Sequence, residues 1–504
     1  MPTLADVIEA LTHSRPEIPP LDITEAAIDS RQVVAGGMFV AIRGEKVDGH
    51  DFVAQAFQRG ATVALIEHPI PEPFAVIDLR QGLPSDGPAL RHRARRGSAV
   101  EGPALSAVEG LSPLTPPVCL LVENTVSALQ QIAAFWRSKL NLRVVGVTGS
   151  VGKSTTKEAI AQVLSQRYAT LKSAANLNNE IGLPLSVLRL TPSHQYAVFE
   201  MGFYVPGEIA QLCAIACPQI GVINNVGTVH AERAGSQEAI ARGKGELVEA
   251  LPAAPEGVAI LNYDDPLVRS MNLRTKAQVF YYGLDPASDL WADELQSMGL
   301  KGIHFRLHYK KETLSLRVPM IGRHSVATAL RAASVGLAAN LSWDEIIRAL
   351  QEYKEQLRLV TVRAENGALI IDDTYNASPE STLAALNLLQ DLHPGQFAGA
   401  SGRRVAVLGD MLELGQYERA GHEKVGARAA EVADVLITLG RRAHIVAEAA
   451  SKAGMKKPAI REYEEIGPVV DWLKENLAKN DVVLIKGSHG MQMDKIVATL
   501  EAVK

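Results

Sequence analysis

The fold is decided by residues 143–166, which read RVVGVTGSVGKSTTKEAIAQVLSQ. The segment opens with the apolar, β-branched run RVVGV and passes through the glycine-containing turn TGSVGKS at 148–154. It continues as TKEAIAQVLSQ, with apolar residues at helical spacing. This order predicts a buried strand, a tight loop and a helix. Such units build parallel α/β sheets, in which ligands bind beyond the carboxyl ends of the strands.

The loop has the composition of a phosphate-binding loop. Glycines allow backbone N–H groups to close around phosphates, and the N-terminus of the following helix adds partial positive charge. Lys153 is placed to reach the β- and γ-phosphates, and Ser154 to bind Mg²⁺. The strict pattern G-x-x-x-x-G-K-[ST] needs glycine where this chain has Val147, so a chance glycine-rich turn is the alternative. The predicted nucleotide-binding residues are Thr148, Gly149, Ser150, Val151, Gly152, Lys153 and Ser154.

Short apolar runs of the same kind recur along the chain, with helical stretches between most of them. Each run ends in glycine or a polar residue, which is typical of parallel strands buried on both faces. The polar residues that close these runs are therefore candidate site residues. The runs are RVVGVTGS (143–150), YAVFEMG (196–202), IGVINNVG (220–227), GVAILNYDD (257–265), ALIIDDTYN (368–376), RRVAVLGDM (403–411), ADVLITLG (433–440) and DVVLIKGS (481–488).

The first third of the chain differs from the rest. LADVIEAL (4–11) has its apolar residues on one helical face, and residues 38–67 predict strand, glycine-rich loop, helix and strand. Residues 82–117 are rich in Pro, Gly, Ser and Arg and contain the near-repeat SAVEG at 98–102 and 106–110. They predict an inserted linker without a function of its own. SALQQIAAFWRSKL (127–140) predicts an amphipathic helix.

Composition excludes several classes of protein. The chain has 504 residues, which suggests about three domains. Its net charge of -5 disfavours a nucleic-acid partner, and no apolar run reaches the length of about 18 residues that a membrane span needs. The N-terminus lacks the pattern of a secretory signal, and three cysteines argue against a disulfide framework. We therefore predict a soluble, cytoplasmic protein.

Three side chains after the loop are candidates for metal binding or catalysis. Glu200 closes the run YAVFE, His230 lies just past IGVINNVG, and Lys244 lies in ARGKGELVEAL. A carboxylate and an imidazole at neighbouring strand ends are able to hold Mg²⁺ beside a nucleotide. Each residue also has an ordinary explanation: a helix cap or ion pair, a hydrogen-bonded surface histidine, and a solvated helix lysine.

Further motifs resemble those of the Mur ligase family, over nearly the whole chain except the insert. The phosphate loop is shared across that family, whereas NLNNE, DDTYNASP and GDMLELG are typical of its D-alanyl-D-alanine-adding branch. The matching segments are DSR (29–31), FVAIRGEKVDGHDF (39–52), TGSVGKST (148–155), NLNNEIGLP (176–184), EMGFYVPGEI (200–209), HAE (230–232), GS (235–236), KGEL (244–247), DDTYNASP (372–379), GDMLELG (409–415) and IKGS (485–488).

The resemblance implies an α/β protein of three domains. Residues 1–81 form a smaller domain for the UDP end of the substrate, 118–355 a central ATP-binding domain with a parallel sheet, and 356–504 a Rossmann-like domain, with 82–117 as the insert. The implied reaction is amide formation for peptidoglycan synthesis, using ATP and Mg²⁺. ATP phosphorylates the C-terminal carboxylate of UDP-MurNAc-tripeptide, and the amine of D-Ala-D-Ala attacks the acyl phosphate. The resemblance also favours a monomer.

By position, the resemblance assigns individual roles. Lys153 and Ser154 match residues at the ATP phosphates and Mg²⁺, and Glu200 and His230 match magnesium-associated residues. Lys244 matches a lysine that is carbamylated in several members, with a plain lysine as the alternative; Lys153, His230 and Lys244 are the predicted catalytic residues. The other matches are Ser30 and Arg31 at the UDP-sugar end, His324 and Arg358 at the nucleotide, and Asp373, Asn376 and Lys486 facing the cleft.

The chain also departs from the family pattern. The family's G-R-H-N-x-x-N-A segment has Ser325 and Thr328 in place of the two asparagines. Leu357 stands where glycine is usual, and His489 replaces the arginine of the KGSR segment. These departures put the contacts to adenine in doubt.

Other functions are weighed against this one. A ligase resembling folylpolyglutamate synthase is disfavoured by the UDP-type first domain and by DDTYNASP, and the diaminopimelate- or lysine-adding branch by the absence of a DNPR segment. The third alternative is a nucleotide-binding regulator that does not turn over substrate. The replacements at Ser325, Thr328 and His489 are the observation in its favour. Lysine and meso-diaminopimelate are both open as the third residue of the tripeptide.

Overall fold

The computed structural model describes residues 1–44, 46–71, 74–80, 90–91, 116–353, 360–392 and 402–501. The chain divides into two units. The first consists of Met1–Val144, Ala169–Met201 and Gln211–Pro218, and the second of Val145–Tyr168, Gly202–Ala210 and Gln219–Lys504. Most of the predicted insert, and Arg358, lie outside the described residues. Within the described ranges, no helix is long and apolar enough to cross a membrane.

Strands and helices alternate along most of the chain. The strands are β1 (Ala26–Ala27), β2 (Met38–Val40), β3 (Val63–Ile66), β4 (Ala75–Asp78), β5 (Leu90–Arg91), β6 (Val118–Leu121), β7 (Arg143–Thr148), β8 (Thr170–Lys172), β9 (Tyr196–Glu200), β10 (Ile220–Ile223), β11 (Val258–Asn262), β12 (Gln278–Gly283), β13 (Leu290–Ser297), β14 (Ile303–Tyr309), β15 (Glu312–Val318), β16 (Val360–Arg363), β17 (Leu369–Asp372), β18 (Arg404–Gly409), β19 (Val435–Leu439), β20 (Ile460–Tyr463) and β21 (Val482–Lys486). The helices are α1 (Leu4–Thr12), α2 (Val53–Gln58), α3 (Thr125–Ser138), α4 (Lys153–Leu164), α5 (Gly182–Leu188), α6 (Glu208–Ala216), α7 (Ala231–Ala234), α8 (Gln237–Glu249), α9 (Pro266–Arg269), α10 (Ser325–Ala338), α11 (Trp343–Gln351), α12 (Pro379–Asp391), α13 (Glu418–Val432), α14 (His444–Lys452), α15 (Ile466–Asn476) and α16 (Asp494–Leu500).

The eight apolar runs of the sequence analysis all contain strands. They correspond to β7, β9, β10, β11, β17, β18, β19 and β21, and the helices predicted by position are α1, α2, α3 and α4. A capping box, in which Thr3 and Asp6 bond each other's backbone N–H, begins α1. The predicted α/β class is confirmed at the level of individual elements.

The first unit contains a sheet with the order β1-β2-β3-β6-β4-β5. Strand β6 pairs in parallel with β3, where Val63 lies opposite Val118, and with β4, where Ala75 lies opposite Val118. All four residues of β6 are buried. Residues 118–121, which the predicted domain bounds assign to the central domain, therefore pair within the N-terminal sheet.

The second unit begins with the sheet that carries the phosphate loop. Within this unit β7 pairs with β10, which continues in parallel through β11 and β12. The sheet then changes direction, because β13, β14 and β15 form antiparallel pairs. This meander was missed by the sequence analysis. Its signal is the alternation of buried Ile303, Phe305 and Leu307 with less buried polar residues, a period of two rather than a continuous apolar run.

The C-terminal sheet has the order β16-β17-β21-β18-β19-β20, parallel except for β16. Successive strand residues enter opposite cores. Leu484 packs in the core formed with α12, α13 and α14, and its neighbours Val483 and Ile485 pack in the core formed with α15 and α16. Helices therefore cover both faces, which is the doubly wound, Rossmann-like arrangement.

The contact between α13 and α14 generates a prediction. A Cβ atom added to Gly426 would lie 2.3 Å from the Val446 carbonyl oxygen and 2.7 Å from the Ala449 Cβ atom. We expect Gly426→Ala to lower the free energy of unfolding by about 1–3 kcal/mol, because one helix must move. Gly467→Ala, where nothing lies within 4 Å, is the matched control and is expected to cause no loss. Urea unfolding measures both, and equal midpoints would contradict the predicted close packing.

Candidate active site

The phosphate loop lies at the carboxyl end of β7. This strand ends at Thr148 and α4 begins at Lys153, so residues 149–152 form the loop. Gly152 has a φ of 80° at the helix N-cap, a left-handed conformation that favours glycine. A Cβ atom on Gly149 would lie 2.6 Å from the Asn224 Cβ atom. Both glycines are therefore required by the backbone of the loop.

Two asparagines that follow β10 hold the loop in shape. The Ser150 N–H donates to the Asn225 carbonyl oxygen at 3.0 Å, and the Val151 N–H donates to Asn225 Oδ1 at 2.9 Å. Asn224 Nδ2 donates to the Val151 carbonyl oxygen at 3.1 Å. The sequence analysis missed these supporting residues. Their signal was available, because both are polar residues at the end of the apolar run IGVINNVG.

The predicted phosphate ligands lie at this loop. Lys153 Nζ donates to the Gly149 carbonyl oxygen at 3.0 Å, which folds the ammonium group over the loop. Ser154 and Thr148 are buried at the start of α4 and the end of β7. The loop, its lysine and its serine are thus ordered by the protein itself, so binding of an anion requires little rearrangement.

His230 is held by a glutamate from the GDMLELG segment. Its Nδ1 atom lies 2.7 Å from Glu413 Oε2, and its ring packs edge-on to Tyr204 with centroids 4.8 Å apart. Burial lowers the pKa of His230, the charges of Lys153 and Lys244 lower it further, and Glu413 opposes this effect. His230 is therefore a neutral imidazole at pH 7, and Glu413 favours the tautomer with the proton on Nδ1. Sequence reasoning singled out the GDMLELG motif but not this partner.

Lys244 is buried within α8. Its side chain is 1% exposed and its ammonium group lies 4.9 Å from the centroid of the Phe203 ring. Gly243 allows this packing, because a Cβ atom there would meet the Phe203 ring at 2.0 Å. Burial holds the pKa of Lys244 well below its usual range, and the charge of Lys153 lowers it further. The lowered pKa leaves a larger fraction of this amine unprotonated, and therefore nucleophilic, than in a solvated lysine.

Glu200 belongs to the first unit. It ends β9, is 1% exposed, and its Oε1 atom accepts a hydrogen bond from Asn178 Nδ2 at 2.8 Å. Asn178 lies in the NLNNE motif. The carboxylate is thus positioned by a second residue of a matched motif.

The C-terminal sheet brings three predicted residues together beyond β17 and β21. Lys486 Nζ lies 2.7 Å from Asp373 Oδ2 and donates to the Asn376 carbonyl oxygen at 2.8 Å. The Lys486 side chain is buried. The cation, the carboxylate and the backbone carbonyl therefore form one preorganised cluster.

The segment with the two replaced asparagines has its own hydrogen bonds. Ser325 Oγ donates to the Ile321 carbonyl oxygen at 2.7 Å, and Thr328 Oγ1 accepts from Arg331 at 2.8 Å. Loss of solvent, and then the charges of Arg331 and Lys486, lower the pKa of His324, although part of the residue is exposed. The imidazole of His324 is therefore neutral, while the two hydroxyl groups are engaged within the protein.

The predicted UDP-sugar residues lie in the first unit. Ser30 Oγ donates to Gln55 Oε1 at 2.7 Å and is largely buried. Arg31 is exposed, and its guanidinium group lies 2.8 Å from Asp29 Oδ2. Ser30 is thus a fixed side chain, whereas Arg31 is a surface cation.

Family profiles match most of the chain. The profile of the Mur ligase middle domain matches residues 147–336, that of the Mur ligase glutamate ligase domain residues 357–489, and that of the Mur ligase family catalytic domain residues 22–84. The chain therefore belongs to the Mur ligase family and is a ligase.

Full-length relatives define its neighbours within that family. The UDP-N-acetylmuramoyl-tripeptide–D-alanyl-D-alanine ligase of Bacillus subtilis is 33% identical over 500 residues, covering 99% of this chain and 97% of the relative. The crystal structure of MurF from Acinetobacter baumannii has a TM-score of 0.78 at 28% identity and covers 99% of both chains. The MurF ligase from Thermotoga maritima in complex with ADP has a TM-score of 0.73 at 26% identity, covering 94% of this chain and 96% of that chain. The predicted family and fold class are confirmed.

The geometry of the loop predicts the effect of one substitution. Gly152→Ala places a side chain in the left-handed region, which costs about 1–2 kcal/mol or shifts the loop. We expect ADP affinity to fall at least about tenfold, because the N–H groups that surround the phosphates change direction. Gly454→Ala, at a φ of 101° with nothing within 4 Å, is the control for backbone strain alone. Isothermal titration calorimetry compares the two, and an equal loss of affinity would contradict the role of the loop.

Proposed function

We propose that this chain uses ATP to join D-alanyl-D-alanine to UDP-N-acetylmuramoyl-tripeptide, which yields the pentapeptide precursor of peptidoglycan. The observation that carries the proposal is the convergence of Lys153, His230 and Lys244. These side chains lie within electrostatic reach of one another at a preformed phosphate loop. The substrates are proposed from the full-length similarity to a ligase of that name.

The chemistry requires an activated acyl group. A carboxylate does not react with an amine until one of its oxygens becomes a good leaving group, and phosphorylation by ATP supplies that group. The amine then attacks the acyl carbon, and the tetrahedral intermediate expels phosphate. The carboxylate and the γ-phosphate are both anions and repel each other when they come close. The positive charge of Lys153 offsets this repulsion.

The C-terminal cluster suits the second half of the reaction. Lys486 is a buried cation beside Asp373, at strand ends where substrates of α/β sheets bind. We propose that Lys486 stabilises the negative charge that develops on the tetrahedral intermediate. Asp373 and Asn376 are proposed to bind the incoming dipeptide. Arg358 is kept as a proposed phosphate ligand, and Ser30 with Arg31 as proposed contacts to the UDP-sugar.

The donor set fits Mg²⁺, which the family implies. Ser154 offers a hydroxyl group, and neutral His230, whose Nδ1 atom lies beside Glu413, offers Nε2 as a ligand atom of the type that metal ions take. Glu200, which lies in the first unit, is proposed as a carboxylate ligand from its match to the family motif alone. When bound, the ion neutralises phosphate charge beside the acceptor carboxylate.

Lys244 is proposed to be carbamylated. Reaction of its neutral amine with CO2 forms an N–C bond and releases one proton, and the product carries a carboxylate-like charge. Such an anion would be attracted by the positive charge of Lys153. A protonated Lys244 would instead be repelled by that charge. The low pKa favours this reaction, because only the unprotonated amine is a nucleophile.

An assay of phosphate release tests the reaction. We expect ADP and phosphate to form only when UDP-MurNAc-tripeptide and D-Ala-D-Ala are both present. Tripeptides ending in lysine and in meso-diaminopimelate are assayed in parallel to identify the acceptor. Turnover with folate and glutamate would favour the folylpolyglutamate synthase-like alternative, and a complete lack of turnover would favour a nucleotide-binding regulator.

Substitution of Lys244 tests the carbamate. We expect Lys244→Ala to lower kcat at least about 100-fold, because the negative charge of the carbamate beside the phosphates is lost. Short carboxylic acids, which supply a carboxylate, are expected to restore part of the activity. Lys172→Ala, at an exposed lysine in β8, is the control. Unchanged turnover in Lys244→Ala would contradict the proposal. Mass spectrometry under CO2-saturated conditions after trapping of the carbamate provides a readout independent of activity.

A further inference from the structure

Arg331 is a buried cation behind the phosphate loop that the proposed reaction does not use. It lies in α10 and is 4% exposed. Its guanidinium group donates to Thr328 Oγ1 at 2.8 Å and to the Tyr282 hydroxyl at 3.4 Å. Its Nε atom is buried without a hydrogen-bond partner among the described residues. The side chain is therefore fixed in place but incompletely satisfied.

The charge of Arg331 is not balanced by an acidic partner. Across the described part of the chain, no carboxylate forms an ion pair with Arg331. Its guanidinium group contacts neutral groups instead: the two hydroxyl groups and the Tyr282 ring, whose centroid lies 5.7 Å away. A buried charge without a counterion is unfavourable, and arginine does not escape the cost by losing its proton. Such a residue is retained at a cost to stability, which is typical of a group that acts on a ligand.

The Arg331 guanidinium group lies next to the last residue of the phosphate loop, Gly152. An ideal Cβ atom on Gly152 would lie 3.7 Å from Arg331 Nη2 and 3.5 Å from Asn224 Nδ2. The Tyr282 hydroxyl, which accepts from Arg331, donates in turn to the Asn224 carbonyl oxygen at 3.1 Å. Arg331 is thus connected through Tyr282 to the residues that shape the loop, and its charge lies directly behind the helix N-cap.

We propose that Arg331 is a positioning residue of the nucleotide site, whose fixed charge behind the loop is compensated only when nucleotide phosphates bind in front of it. This inference rests on the proposed use of ATP and goes beyond it. Thr328, which stands where the family has an asparagine, accepts the hydrogen bond that orients the Arg331 guanidinium group. The departure from the family pattern is therefore part of a local arrangement with Arg331 and not a loss of the site.

The test separates charge from packing. Arg331→Met keeps most of the side-chain volume and removes the charge, and Arg331→Lys keeps the charge. We expect Arg331→Met to weaken ADP binding on the order of tenfold, since a fixed charge near the phosphates is lost. Its KM for ATP should rise in parallel while kcat changes little. Arg331→Lys should retain affinity to within about threefold, because the charge remains.

Thermal unfolding without nucleotide supplies the second measurement. Arg331→Met should unfold at the same or a higher temperature than the unsubstituted chain, because an uncompensated buried charge is removed. Arg137 is the matched control: it is 5% exposed, and its guanidinium group donates to the carbonyl oxygens of Ala216, Leu140 and Leu142, each at 3.0 Å. Arg137→Met should lower the unfolding temperature and leave ADP affinity unchanged, because those carbonyl groups lose their donors.

Each result has one interpretation. If the unsubstituted chain binds ADP and Arg331→Met binds it equally well, the role of Arg331 is wrong while the proposed function stands. If Arg331→Met unfolds at a lower temperature and Arg331→Lys fails to restore affinity, Arg331 is structural and the inference is also wrong. If the unsubstituted chain does not bind ADP, the proposed function itself fails.

Discussion

The clustering of basic side chains around one phosphate loop is the constraint on which the site depends. Lys153, Lys244 and Arg331 are brought together by α4, α8 and α10 in a chain whose net charge is -5. Repulsion between like charges and loss of solvent disfavour this arrangement, and the protein responds differently at each residue. Lys244 has a strongly lowered pKa, whereas Lys153 donates to a loop carbonyl. An anionic ligand is the natural complement of such a site.

The loop itself is stabilised by neutral groups. Asn224 and Asn225 supply amide donors and acceptors from the end of β10, so that the loop conformation does not depend on the ligand. This division of roles has a physical reason. A carboxylate in the same position would neutralise the positive charges and compete with phosphate, while an amide supports the backbone without doing so. The amides hold the loop backbone, and the positive charge around it stays available.

The GDMLELG segment connects the C-terminal sheet with the metal candidate. Besides the contact between Glu413 and His230, the Glu232 N–H donates to the Glu413 carbonyl oxygen at 3.3 Å, and Gln416 Nε2 donates to the Gly235 carbonyl oxygen at 3.3 Å. His230 and Glu413 both have positive φ values, 67° and 63°. Each of these two residues has an uncommon backbone conformation, and hydrogen bonds between their two segments hold both in place. Such conformations are typical of functional positions. The orientation of His230 therefore depends on residues almost two hundred positions away in the chain.

Much of the fold follows from local sequence. Continuous apolar runs identify eight strands because strands buried on both faces cannot alternate with polar residues, and the glycines and lysine at 149–153 identify the loop because phosphate binding needs those residue types locally. The placement of β6 in the first sheet, the antiparallel meander β13–β15 and the partners of His230 could not be read in the same way. They are set by pairings between distant segments, whose free energy depends on which surfaces meet. Local sequence is enough to identify the residue types that are able to carry the chemistry. The burial of Lys244, the contact between Glu413 and His230 and the place of Arg331 behind the loop follow from tertiary structure alone, because burial and electrostatic coupling exist only once the chain has folded.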